Sequence, residues 1–400
     1  IIFLFEAFMK WLWQNTTQVG FGENAVQEHL DKFVANRSRV LCTFGGGSID
    51  KNGARDDVTK ALRKLECEVR WEGGLTANPE YKRCMEIVKS VREFQPDIVI
   101  AVGGGSVIDG TKFICCAAKI GENEDAWDTI MIHKNMPSNP YKFGTVLTIP
   151  ATGSEWNNGF VISRNDIKWK IAAFATYPYF SLLDPRYTLT LPVRQLRNGV
   201  FDAFTHCIDQ FLMPPEVPMF DHFWMSILKE LVDIGTAVIQ PNASIELHER
   251  LIMACSFALN QIFTLPKPTY WEIHFIGHIL TARYDIDHAA TLSMVMVPFL
   301  ESQLESRKEI YAHTAEFVFG VTTGSTEDKA RSLITHIKQF INDLGMPTKV
   351  SQWEGVTIHP GDVDSVTDDL MQQATGGKPF GYQNCCTREL NHSILAQIIQ

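Results

Sequence analysis

The chain has 400 residues, 45% hydrophobic and 20% charged, with 46 acidic against 36 basic side chains and a formal net charge of −10. That length suits two or three domains with a sizeable core, and the composition excludes a disordered chain. The acidic balance argues against nucleic acid or an anionic membrane as partner, since both favour a basic face, but one local cradle is enough for an anionic cofactor.

The run from 1 to 13 carries Glu6 and Lys10, is too short and too charged for a membrane span, and lacks the basic start and cleavage site of a secretory leader. The nine cysteines are odd in number and irregularly spaced, so they read as reduced thiols in a cytoplasmic or organellar interior. The adjacent pairs Cys115–Cys116 and Cys385–Cys386 cannot form a CxxC knuckle, and burial in helices is expected of them.

Up to about residue 190, short β-rich runs alternate with helical ones. RVLCTFGGG (39 to 47) reads as a strand ending in glycines, the stretch from Ala54 as a helix, CEVRWEGG as a strand, and YKRCMEIVKSVREF as a helix. DIVIAVGGGS (97 to 106) is an apolar strand running into glycines, followed by the helix VIDGTKFICCAAK; TVLTIPATGSE and YFSLLDP (179 to 185) add two more strands. This succession predicts βαβ units and a parallel sheet, with ligands at the carboxyl ends of its strands. Beyond 190 the pattern is helical, near 194 to 213, 219 to 239, 245 to 263, 270 to 283, 288 to 304, 308 to 319, 327 to 344, 361 to 374 and 387 to 399. The expected organisation is an α/β unit over 1–190 and an all-helical unit over 191–400, without internal repeats.

Three glycine- or hydroxyl-rich turns follow strands. Gly45–Asp50 and Gly103–Asp109 each place three glycines and a serine at a strand end, where backbone N–H groups can approach a phosphate closely. PATGSEWN (150 to 157) offers Thr152 and Ser154, with Thr148 just before; these suit phosphate or ribose, or merely satisfy their own backbone. None is a GxGxxG or Walker loop, and there is no GxSxG elbow for serine hydrolysis.

Metal-ligand types cluster between 202 and 288. Asp202 and His206 are four apart in FDAFTH, as are His274 and His278, so two helices can present oxygen and nitrogen donors to one divalent ion. The second pair lacks the glutamate of HExxH, which disfavours a metalloprotease. His288 lies beyond the break RYDID, and spacing leaves open whether it or His278 completes the set.

FGGGSI, AVGGGSVIDGTKF, TIPATGSE, LLDPRYT, NGVFDAFTHCIDQ and the run from His274 to Ala289, in order, resemble the iron-containing (group III) alcohol dehydrogenases, most of all their NADPH-dependent butanol dehydrogenase and aldehyde reductase branch. The resemblance runs from about residue 15 to the last helix; Ile1 to Phe8 have no counterpart in it. It implies a dinucleotide-binding α/β domain and an all-helical metal domain with the active site between them. It also implies one divalent metal, Fe2+ or Zn2+, on Asp202, His206, His274 and His288, with His278 beside the metal as a proton relay or orienting group.

By motif, Gly103, Gly104, Gly105 and Ser106 match the pyrophosphate loop, and Asp109 a residue on the nicotinamide side, which the resemblance places with His278 among the catalytic residues. Thr148, Thr152 and Asn157 match the cofactor wall, and Lys168 a cofactor-side lysine. NAD-using relatives tend to carry an aspartate where this chain has Gly47. Glycine leaves room for a 2′-phosphate at Gly46, Gly47 and Ser48, with Lys51 nearby, so NADP is expected over NAD although Asp50 opposes it. Trp156, Phe160, Trp169 and Tyr284 are bulkier than the family pattern. The implied activity is hydride transfer between NADP(H) and small alcohols or aldehydes in a cytoplasmic enzyme, often dimeric. A polyol or polyol-phosphate dehydrogenase or related lyase, and a non-catalytic relative, are the competing expectations.

Overall fold

The computed structural model describes residues 12–265 and 267–399. Most of the N-terminal apolar run, Ile1 to Phe8 included, lies outside them. Among the described residues no helix is long and apolar enough to cross a membrane.

The strands are β1 (Gln18–Phe21), β2 (Arg39–Phe44), β3 (Glu68–Glu72), β4 (Ile98–Gly104), β5 (Phe143–Ile149), β6 (Gly159–Arg164), β7 (Trp169–Phe174) and β8 (Phe180–Leu183). Six of them form one sheet in the order β1-β8-β5-β4-β2-β3, every pairing parallel, while β6 and β7 make a separate antiparallel hairpin. Helices α1 (Ala25–His29), α2 (Ser48–Lys51), α3 (Ala54–Lys64), α4 (Tyr81–Phe94) and α5 (Gly105–Ala117) are interspersed with the strands. After β8 come α6 (Val193–Phe211), α7 (Pro218–Val238), α8 (Ile245–Ala258), α9 (Glu272–Tyr284), α10 (His288–Phe319), α11 (Thr326–Asp343), α12 (Asp362–Thr375) and α13 (Arg388–Ile399).

The uniformly apolar sequence of β4 follows from its place at the sheet's centre, covered on both faces. Val99 and Ala101 pack into one core with α4 and α5, while Ile98, Ile100 and Val102 pack into another with α1 and α3, as the two-residue period of a strand requires. A third core gathers residues from Leu196 onward. The chain leaves β2 for β3 on one side and returns to place β4 on the other. The β2–β4 boundary is therefore where strand order reverses, and a crevice opens there at the carboxyl ends.

Five sequence expectations change. β1 was not foreseen, because four residues at a sheet edge carry too little pattern; it is held by its parallel pairing with β8. The hairpin β6–β7 was missed in a segment read only by motif. The helices expected at 288 to 304 and 308 to 319 are one, α10, because the polar stretch between them does not face water throughout: Arg307 is buried and paired with Glu272 at 2.7 and 3.1 Å. Finally, α8 stops at Ala258, where Gln261 turns into left-handed backbone, and Cys385–Cys386 lie ahead of α13 with Cys385 only half-buried, unlike the helical Cys115–Cys116.

Candidate functional site

The two glycine turns stand side by side because β2 and β4 are neighbours. At the second turn an added Cβ on Gly103 would meet Val107 at 2.5 Å, on Gly104 Ile149 at 2.8 Å, and on Gly105 Thr152 at 2.3 Å, so close packing alone demands glycine. The N-terminus of α5 has no side-chain cap, which leaves first-turn N–H groups at Gly105 and Ser106 beside the crevice. The first turn differs. A Cβ on Gly46 would meet nothing within 4 Å, one on Gly47 only Asp50 Oδ2 at 3.8 Å, and neither residue has positive φ.

Behind these turns lies a buried polar knot. Lys112 donates to Ser154 Oγ (2.7 Å), Asn157 Oδ1 (3.1 Å) and the Gly159 carbonyl (2.6 Å). Ser154 Oγ donates to Asp109 Oδ1 (2.6 Å), and the Val161 N–H donates to Asp109 Oδ2 (2.9 Å). Burial pulls the Lys112 ammonium down to about 8 and raises the Asp109 carboxyl. Asp109, Ser154 and Asn157 therefore fasten α5 to the hairpin β6–β7 with most of their bonding capacity. The Ser154 hydroxyl is thus taken up by two side chains of α5, and it is Thr152 Oγ1 that accepts the turn's own backbone N–H, from Ser154 at 3.2 Å.

The metal-type residues converge from three helices. α6 carries Asp202 and His206, α9 carries His274 and His278, and α10 begins at His288. Asp202 Oδ1 lies 3.7 Å from His206 Nε2, 3.9 Å from His274 Nε2 and 3.6 Å from His288 Nε2, too far for hydrogen bonds. Donors sharing one ion at about 2.1 Å stand roughly 3 to 3.6 Å apart; Asp202, His206 and His274 bring donor atoms within 4.8 Å of one another, and His288 joins them through Asp202. Asp202 Oδ1 and His274 Nε2 are buried and, among the described residues, without a hydrogen-bond partner. Such orphaned atoms are costly unless something binds there. Burial raises the Asp202 carboxyl to about 6 and holds His206 and His288 well below the usual imidazole range, in the neutral form that ligates. The donors thus fit a divalent cation. His278 makes no comparable approach to Asp202 among the described residues; its ring lies 5.0 Å from that of His288 and 6.2 Å from that of His274, and burial keeps it neutral too.

Two residues not singled out in the sequence hold this arrangement. Asp209 Oδ2 bonds His274 Nδ1 at 2.7 Å, and the Asp209 carboxylate accepts the N–H groups of Ile273 (3.0 Å) and His274 (2.9 Å), capping α9 while turning Nε2 toward Asp202. Asp209 lies three residues after His206 on α6, a spacing that could have marked it. Asp287, just before α10, accepts from Arg194 (2.6 Å) and Asn198 (2.8 Å) of α6, fixing where His288 starts.

One cavity of about 900 Å³ joins the two halves of the site. It is lined by Gly46, Ser48, Gly103, Gly104, Gly105, Ser106, Asp109, Thr148, Thr152 and Asn157 on the sheet side, and by Asp202, His206, His274, His278 and His288 on the helical side. Gly47 is not among its lining residues, although both neighbours are. Lys168 corrects the sequence reading: it sits exposed in the β6–β7 turn with φ 56°, away from the cavity. Lys170, two residues on and already within β7, is buried, lines the cavity and donates to Asn78 Oδ1 at 3.0 Å. Burial pulls it down to about 8, partly offset by Asp202 and Asp109. Of the bulky residues, Phe160 and Trp169 line the cavity, whereas Trp156 packs on Phe257 and Tyr284 donates to Asp362. Trp271, unnoticed in the sequence, also lines it and sits edge-on to His274.

A second cluster, Glu272, Cys385 and Cys386, brings ligand-type atoms within 4.8 Å of one another. Its carboxylate is already taken by Arg307, the Tyr382 N–H and Cys385.

A family model described as iron-containing alcohol dehydrogenase matches residues 16–185, and one for the C-terminal part of the Fe-containing alcohol dehydrogenase family matches 197–383. The chain is 37% identical over 340 residues to the NADPH-dependent aldehyde reductase YqhD of Escherichia coli, covering 84% of this chain and 87% of that one. It is 31% identical over 369 residues to a probable NADH-dependent butanol dehydrogenase of Bacillus subtilis, covering 91% and 94%. Among solved structures, E. coli YqhD superposes with a TM-score of 0.91 at 34% identity, over 97% of this chain and 98% of that one. NADH-dependent butanol dehydrogenase A of Thermotoga maritima gives 0.89 at 26% identity, over 98% and 99%.

Proposed function

Since this chain belongs to the iron-containing alcohol dehydrogenase family and is an oxidoreductase of alcohols and aldehydes, we propose that it reduces small aldehydes with NADPH, reversibly, in the cleft between units 1–190 and 191–400. The observation that carries this reading is the single cavity running from the glycine turns to the Asp202 cluster. Asp202, His206, His274 and His288 hold one divalent metal, Fe2+ or, with the same donors, Zn2+. Bound there, the ion supplies Lewis acidity toward the substrate oxygen, and the nicotinamide supplies or accepts the hydride.

The chain's own residues do the rest. The α5 N-terminus with Gly103, Gly104, Gly105 and Ser106 receives the pyrophosphate, while Thr148, Thr152 and Lys170 flank the cofactor. Asp109 and Asn157 act by position, holding the hairpin whose Phe160, Trp169 and Lys170 line the cavity. His278, neutral and next to His288, passes a proton between the reacting oxygen and solvent. Neither conformation nor packing accounts for glycine at Gly46, which supports a ligand lying against that turn; at Gly47 the nearest group is Asp50 Oδ2 at 3.8 Å, an ordinary contact, so glycine there leaves room for the 2′-phosphate of NADP.

Among the lining residues the lysines are Lys134 and Lys170, and there is no arginine; Lys134 is already bonded to the Ala172 carbonyl. A polyol phosphate would want more cationic partners, which favours neutral aldehydes. A non-catalytic relative is disfavoured because all four donors stand in place. The family reading also carries a homodimer and a cytoplasmic location.

The test is metal analysis of purified protein followed by NADPH oxidation against C2 to C8 aldehydes. Turnover in the metal-loaded form is expected, and none with any aldehyde would sink the reading.

A further inference from the structure

At the rim of the first glycine turn two charges oppose each other. Asp50, in α2, is the nearest group to a side chain at position 47 (3.8 Å) and would repel a phosphate seated on that turn. Arg55, in the first turn of α3, places Nε 2.8 Å from Asp50 Oδ1. Its guanidinium carbon lies 4.3 Å from the ring centre of Phe44, the last residue of β2, and 4.7 Å from that of Trp71 on β3. Those two rings stand edge to face at 5.9 Å.

Held against both rings, the guanidinium has less freedom to lose on binding an anion than a solvated arginine would. Asp50 is its only carboxylate partner among the described residues, and the Arg55 side chain keeps 28% of its surface in solvent. Its ion pair runs through Nε, which leaves the terminal N–H groups to serve a second anion. We infer that Arg55 is the specificity-determining residue for the cofactor: it neutralises Asp50 and donates to the 2′-phosphate of NADP(H), restoring a preference that Asp50 would otherwise remove. This rests on the NADP reading of the cavity and adds a residue outside the glycine motif.

The test reads binding rather than turnover. NADPH and NADH would be titrated by quenching of tryptophan fluorescence in wild type, Arg55→Gln, Arg55→Lys and Asp50→Asn, with 2′-AMP and 5′-AMP as competitors and thermal melts reporting folding. Loss of a charge-assisted contact predicts roughly 10- to 100-fold weaker NADPH binding in Arg55→Gln, with NADH within about twofold. Arg55→Lys should recover part of the loss, Asp50→Asn should tighten NADPH, and 2′-AMP should compete with wild type but not with Arg55→Gln. Equal weakening of both cofactors, or an unchanged ratio, overturns the inference. If Arg55→Gln does not fold, an unchanged ratio in both Arg55→Lys and Asp50→Asn overturns it. Wild type that binds NADH as tightly as NADPH would instead overturn the underlying NADP reading.

Discussion

His274 can offer Nε2 to a metal because Asp209 takes the other side of its ring. The 2.7 Å contact at Nδ1 fixes the tautomer, and the two backbone N–H groups on the same carboxylate fix Asp209 in turn. Asp209→Ala is therefore expected to weaken metal binding about 10- to 100-fold, read by competition with a chelator. His278→Ala should leave metal content intact and lower kcat by about 100-fold, the scale of a lost proton relay; a matching loss of metal would make His278 a ligand instead. Asp202 adds a pH dependence. Burial lifts its carboxyl to about 6, above the unfolded value, so in metal-free protein its contribution to stability is present at low pH and is lost as pH rises through about 6. A bound cation offsets that loss only where the carboxylate is ionised. Removing metal with a chelator should thus lower Tm more at pH 7 than at pH 5, and metal affinity should fall as pH drops below about 6.

Elements make the site by how closely they approach. α6 reaches the turn after β5 through Gly199, where an added Cβ would lie 2.2 Å from the Pro150 carbonyl oxygen. Gly199→Ala should lower Tm by several degrees despite the helix-propensity gain of about 1 kcal/mol, because that contact is with backbone that cannot swing aside. Gly46→Ala is the contrast: with nothing within 4 Å of its Cβ, it should leave Tm unchanged while weakening NADPH binding roughly tenfold. The β6–β7 hairpin shows why motif alone misplaces a lysine. Lys168 falls in its exposed turn, while Lys170 is already within β7 on a face that meets the cavity, so the start of the strand separates solvent from the site.

At the scale of the molecule, sheet and helices share one cavity, so ligands should stabilise both together. NADPH at 100 times its Kd is expected to add about 2.7 kcal/mol, seen in calorimetry as an upward shift of the whole unfolding profile; a shift confined to part of it would mean the cavity is not shared. Much of this architecture was legible along the chain. The apolar run of β4, the glycines closing β2 and β4, and the helical spacing of Asp202 and His206 are local patterns with periods of two or about four residues, and they announce a parallel α/β sheet, a helical second half and a set of metal-type donors. Long-range contact decided the rest. Only folding brings His288 to Asp202 while leaving His278 apart, sets Asp209 behind His274, places Lys170 rather than Lys168 in the cleft, and sets Arg55 over the rings of Phe44 and Trp71. Those relations join residues far apart in sequence or hang on where a strand begins, and no local period encodes either.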